Sequence, residues 1–117
     1  MSQRSFTEPR SQYDGPAEVW FDGAKQFNAS VLLTGYVEVT EVTTSGGTER
    51  LEGVTSWDGR LVGVSQRDRF RLVQKKFELK LPNGRRGRAV LRPRAHTWLL
   101  GMGEPPFEVA DGVGVMP

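Results

Sequence analysis

Hydrophobic and polar residues alternate along much of the chain with the period of two that an extended strand produces. From Phe27 to Val39, Val31, Leu33, Val37 and Val39 fall on one face, and Leu32, Thr34, Tyr36 and Glu38 fall on the other. Gly35 interrupts this run and predicts a bulge or a sharp bend. The clearest element is a hairpin. Phe77, Leu79 and Leu81 alternate with Lys76, Glu78 and Lys80, Pro82-Asn83-Gly84 turns the chain, and Gly87, Ala89 and Leu91 alternate with Arg86, Arg88, Val90 and Arg92. Asn-Gly suits the left-handed backbone of a tight turn. The hairpin therefore has an apolar inner face and a basic outer face.

The same reading places a strand over 17–21, closed by the Asp22-Gly23 turn, and a final strand from His96 to Met102. Arg50 to Ser56 and Arg60 to Val64 read as two short strands around a Trp57-Asp58-Gly59 turn, after a flexible loop over Ser45-Gly46-Gly47-Thr48. Between Ser65 and Lys75 the residues Phe70, Val73 and Phe77 fit helical spacing with Ser65 or Asp68 as N-cap, and Phe70-Arg71-Leu72 equally fits strand alternation. A short helical turn is expected there. The pattern predicts a mainly β fold, a small antiparallel barrel or compact sandwich of about seven or eight short strands with at most one short helix. One domain over 13–107 is expected between a disordered tail, 1–12, and a loose C-terminal tail, 108–117.

Composition narrows the function classes. The chain has 117 residues, a soluble-protein hydrophobic content of 37%, no Cys and one His. Thiolate metal sites and thiol nucleophiles are thereby excluded. No apolar run approaches the ~18 residues of a membrane helix, and Met1-Ser2-Gln3-Arg4 opens no signal-peptide core. No membrane partner and a cytoplasmic location are expected.

Charge changes the picture more. Residues 1–59 hold four basic residues (Arg4, Arg10, Lys25, Arg50) against nine acidic ones, whereas residues 60–95 hold twelve basic residues against Asp68 and Glu78. Such asymmetry is the footprint of a polyanion or of an acidic partner protein, unless acidic and basic strands neutralise each other within the fold. Candidate polyanion contacts are Arg67, Arg69, Arg71, Lys76, Lys80, Arg85, Arg86, Arg88 and Arg92. Phe77 points away from the basic face and no aromatic interleaves it, so phosphate contacts without base stacking are expected.

Catalytic chemistry finds little support. A catalytic site needs a nucleophile, a base and a group to orient them, and His96 stands alone. The Ser and Asp residues of Ser56-Trp57-Asp58 and Ser65-Gln66-Arg67-Asp68 are turn and capping types. One His and scattered carboxylates give no metal-ligand spacing, and Gly84-Arg85-Arg86-Gly87-Arg88 lacks the Gly-Lys-Ser/Thr of a phosphate loop. No enzyme activity, metal or cofactor is expected. A non-enzymatic binding or accessory domain is, with Trp20, Tyr36, Trp57 and Trp98 as candidates to line a pocket for a small apolar ligand, unless they fill the core. A protein partner, a polyanion such as nucleic acid, or a structural role in a larger assembly are the alternatives.

Two segments resemble a known family. Tyr13-Asp14-Gly15-Pro16-Ala17, the Asp22-Gly23 turn and Leu33-Thr34-Gly35-Tyr36 are similar to the opening of the small actinobacterial domain of unknown function DUF4873. Trp98-Leu99-Leu100-Gly101-Met102-Gly103-Glu104-Pro105-Pro106-Phe107 resembles its closing Trp strand and Gly-x-Gly-x-Pro-Pro-Phe. The middle departs, because Gly35-Tyr36-Val37-Glu38 stands where family members carry Gly-His-Phe-x-Pro. The resemblance implies an accessory domain, found alone or appended to flavin-dependent monooxygenases.

Overall fold

The computed structural model describes residues 2–92 and 95–109. Alternation carries through into six strands among them: β1 (Ser2–Phe21), β2 (Ala24–Thr44), β3 (Gly47–Val62), β4 (Phe77–Lys80), β5 (Arg86–Arg92) and β6 (Ala95–Met102). Every pairing is antiparallel and the order is β1-β2-β3-β6-β5-β4. Glu18↔Lys80, Val19↔Leu79 and Trp20↔Glu78 join β1 to β4 and close the sheet into a barrel. No helix of the described residues is long and apolar enough to cross a membrane.

The strands are fewer and longer than the sequence pattern predicts. Trp57-Asp58-Gly59 is not a turn; Gly35↔Trp57, Thr34↔Asp58 and Leu33↔Gly59 carry the β2–β3 ladder straight through it. Residues 2–12 are not a tail but the first half of β1, paired from Ser2↔Thr43 to Gln12↔Thr34. Backbone hydrogen bonds to a Val- and Thr-rich neighbour order this polar segment without requiring that it be buried. Of the tail expected over 108–117, Glu108 and Val109 pack against the barrel, and residues 110–117 lie outside the described residues.

Because β4 reaches only Glu18–Trp20 of β1 and β6 only Asp58–Arg60 of β3, the far halves of β1, β2 and β3 project from the barrel as a three-stranded arm. The molecule is accordingly elongated, 57 × 29 × 24 Å. Val37 and Val39 remain buried in this arm. Their cover is an ion cluster on the same face. Arg10, 7% exposed at a register irregularity of β1, donates from Nη2 to Glu8 Oε2 at 2.7 Å and to Glu52 Oε1 at 2.6 Å. Arg50 Nη2 meets the same Glu8 oxygen at 2.9 Å. The Arg10 hydrogen bond, reinforced by Arg50, holds the Glu8 carboxyl below its ordinary range, against a smaller effect of burial.

Helix α1 (Gln66–Phe70) follows β3, with Ser65 as the N-cap; its Oγ accepts from the Asp68 amide at 3.2 Å. Phe70 is exposed, and the residue that enters the core is Leu72, two positions later. Leu72 closes one end of the barrel. Pro106 and Phe107 close the arm end, where Asn83 Nδ2 donates to Pro106 O at 3.1 Å and Arg85 Nη2 to Pro105 O at 3.0 Å. Between these plugs Val19, Val31, Leu33, Trp57, Phe77, Leu79 and Leu99 pack into one core. The Trp57 indole lies over Gly101 and its Cζ2 edge faces Gly87, positions where a side chain would collide with it.

Candidate functional site

Two candidate surfaces follow from how the ladder aligns the outward-facing residues. On the first, Leu32↔Arg60↔Trp98 form one row across β2, β3 and β6, and Thr34↔Asp58↔Leu100 form the next. Tyr36, two residues beyond Thr34, shares the face. The rows enclose a groove of about 370 Å³ lined by Leu32, Thr34, Tyr36, Asp58, Arg60 and Trp98. Trp98 is 43% exposed, and the Arg60 guanidinium lies 5.4 Å from the centroid of its ring.

The polar groups of this groove are already organised. Tyr36 donates its hydroxyl to Asp58 Oδ1 at 3.1 Å, and Arg92 Nη2 approaches Asp58 Oδ2 at 3.6 Å. Burial, with the Asp58 hydrogen bond second, raises the Tyr36 hydroxyl above the usual tyrosine range. Tyr36 is therefore a neutral donor at physiological pH. The Asp58 carboxylate is thus held between the Tyr36 hydroxyl and the Arg92 guanidinium. The aromatic floor with a few converging polar groups is the general character of a small-molecule site.

The second surface lies on the outer side of β1, β4 and β5. Ring closure brings Trp20 beside the basic hairpin, with the Arg86 guanidinium 4.4 Å and Lys80 Nζ 5.7 Å from its ring centroid. Its indole Nε1 donates to Glu18 Oε1 at 2.9 Å. That bond is the first cause of the lowered Glu18 carboxyl, and Lys25, Lys80 and Arg86 add to it. A shallow depression of about 210 Å³ joins Trp20 to Lys76, Glu78, Arg86 and Arg88. The expectation that no aromatic interleaves the basic face is thus corrected: Trp20 does so from a strand distant in sequence.

The predicted site residues divide accordingly. Tyr36 and Trp98 meet in the groove, Trp20 stands on the basic face, and Trp57 is buried in the core, so the four do not line one mouth. Of the basic candidates, Lys76, Lys80, Arg86 and Arg88 gather around Trp20. Arg67 and Arg69 sit on α1, and Arg71, just after it, pairs with Asp68. Arg85 meets Glu108 at the opposite end, and Arg92 serves Asp58 in the groove. Arg67, Arg69, Lys76, Lys80 and Arg88 make no ion pair among the described residues. The side chain of His96 lies outside the described residues.

Asp58 and Arg60 were missed as site residues because Trp57-Asp58-Gly59 reads locally as a turn. Only the register with Thr34 and Leu100 shows that they face outward beside Trp98. Among the described residues no three His, Asp or Glu side chains gather as a metal site would require. Comparison with family models, curated proteins and solved structures finds no match to this chain.

Proposed function

We propose that the protein is a non-enzymatic binding module whose site is the outer groove of β2, β3 and β6, and whose ligand is small, largely apolar and planar with one anionic group. The observation that carries this reading is the exposed Trp98 ring, flanked by Leu32 and Arg60 and bordered by the Tyr36–Asp58 pair. The ring offers a flat apolar surface, and Arg60 a charge-assisted donor for the anion. The barrel interior is occupied by Trp57, Phe77 and their aliphatic neighbours, which pack into one core. The resemblance of the opening and closing segments to DUF4873 supplies a setting, an accessory domain working beside an enzyme.

Anilinonaphthalene sulfonate, which joins a planar apolar body to an anion, tests the site by fluorescence titration and calorimetry. Saturable one-to-one binding is expected, weakened about tenfold by Trp98→Ala and to a similar extent by Arg60→Ala. Both side chains stand on the barrel's outer face, so circular dichroism should register no loss of fold. Binding indifferent to both substitutions would remove the groove from consideration.

A second reading rests on Trp20. An aromatic ring between Arg86 and Lys80, with Lys76 and Arg88 nearby, resembles in chemistry the stacking platforms of single-strand binders. On this reading a short single-stranded oligonucleotide binds with a steep salt dependence. Arg86→Glu with Arg88→Glu then weakens binding at all sequences and lowers the salt slope by about one to two. An unchanged slope would leave the β4–β5 face as a solvated surface.

A further inference from the structure

We infer that the arm is a dimerisation element, in which β3 pairs edge to edge with β3 of a second copy of this chain. Among the described residues, one edge of β3 has no ladder partner from Gly47 to Trp57, since β6 pairs with it only from Asp58. A free edge presents unpaired N–H and C=O groups, and proteins ordinarily blunt it. The free edge of β1 is blunted by Pro9, which has no N–H to offer, and by the irregularity at Arg10. The β3 edge has its irregularity only after Glu52, at Gly53 and Val54. Gly47 to Glu52 hold an unbroken register with β2, and Leu51 stands 56% exposed on that stretch.

Charge selects the partner and the register. Two copies of one strand meeting antiparallel are related by a twofold axis, so the residue on the axis faces its own counterpart. With Leu51 on the axis, Leu51 packs on Leu51 and each Arg50 faces Glu52 of the other copy. Shifting the axis to Glu49, Arg50 or Glu52 instead sets like charges directly opposite each other, which is destabilising. The segment Glu49-Arg50-Leu51-Glu52 is therefore complementary to itself in one register, and pairing there continues the arm into a six-stranded sheet. This surface is separate from the groove and from the Trp20 face, so its test and theirs fail independently.

Light scattering coupled to size exclusion, supported by sedimentation, should give a concentration-dependent species of twice the 13.1 kDa chain mass. Leu51→Lys and Leu51→Glu each place like charges on the axis and should raise the dimer dissociation constant by about tenfold or more, with unchanged circular dichroism. Mixing the two variants one to one should restore the dimer, because Lys then faces Glu. A wild-type chain that stays monomeric, single variants that dimerise as well as wild type, or a mixture that stays monomeric would each overturn the proposal. So would a ladder of ever larger species, the sign of head-to-tail edge pairing.

Discussion

Trp57→Ala is expected to destabilise the barrel by about 3–5 kcal/mol and Gly101→Ala by about 1–3 kcal/mol, and the double variant by clearly less than their sum. The indole is 3% exposed and spans the barrel interior, resting on the Gly101 backbone with its Cζ2 edge toward Gly87. Removing it leaves a void between strands that the closed sheet cannot collapse. Adding a methyl at Gly101 instead pushes into the ring, and β6 cannot retreat because its neighbours β3 and β5 hold it on both sides. Once the indole is gone, that methyl has room. Among the described residues the indole Nε1 has no hydrogen-bond partner, so the residue acts through volume. Trp57→Phe, which keeps a ring and discards an unmet donor, should accordingly cost less than Trp57→Ala. Urea unfolding followed by circular dichroism reads all four variants. Strict additivity of Trp57→Ala and Gly101→Ala would mean that ring and glycine are not in contact.

Leu72→Ala should cost about 2–5 kcal/mol, while Phe70→Ala, at a position 59% exposed, should cost a fraction of that. The contrast is informative because phenylalanine is the larger side chain and helical spacing groups it with Val73 and Phe77. Leu72 is wholly buried and belongs to the barrel core, whereas the short helix that precedes it buries none of its residues. Loss of the leucine uncorks the end of the barrel formed by the β1–β2 turn and the segment leading into β4. With domain stabilities of about 5–15 kcal/mol, a loss of this size consumes a large share of the margin. Equal effects from the two substitutions, measured by thermal and urea unfolding, would contradict the packing described for that end.

Local chemistry made part of this architecture legible. Asn83-Gly84 and its flanking alternation gave β4 and β5 with the correct inward and outward faces, and Ser65 capped the helix as its hydroxyl predicts. Period two likewise assigned Val31, Leu33, Val37 and Val39 to the buried face of β2. What stayed hidden depends on partners far away in sequence. The polar stretch from Ser2 to Gln12 has no apolar face of its own, and only the β2 ladder makes it a strand. Arg10 reads as a surface residue until Glu8, Arg50 and Glu52 assemble around it. The candidate sites divide the same way. Tyr36 and Trp98 stand out as residue types, but their meeting with Asp58 and Arg60 is a consequence of register.

The closure of the ring through Glu18–Trp20 and Glu78–Lys80 also sets an order of events for a chain emerging from a ribosome. The β1–β2–β3 meander, arm included, is complete in sequence by Val62 and needs only two tight turns to form. Its barrel half must wait with the apolar faces of Val19, Val31 and Leu33 uncovered until β4, β5 and β6 have been synthesised. Contacts of such long sequence separation form slowly because loop entropy is lost before they are made. During that wait the exposed meander is the species most prone to stray association, so folding yield should depend on how quickly the second half of the chain arrives.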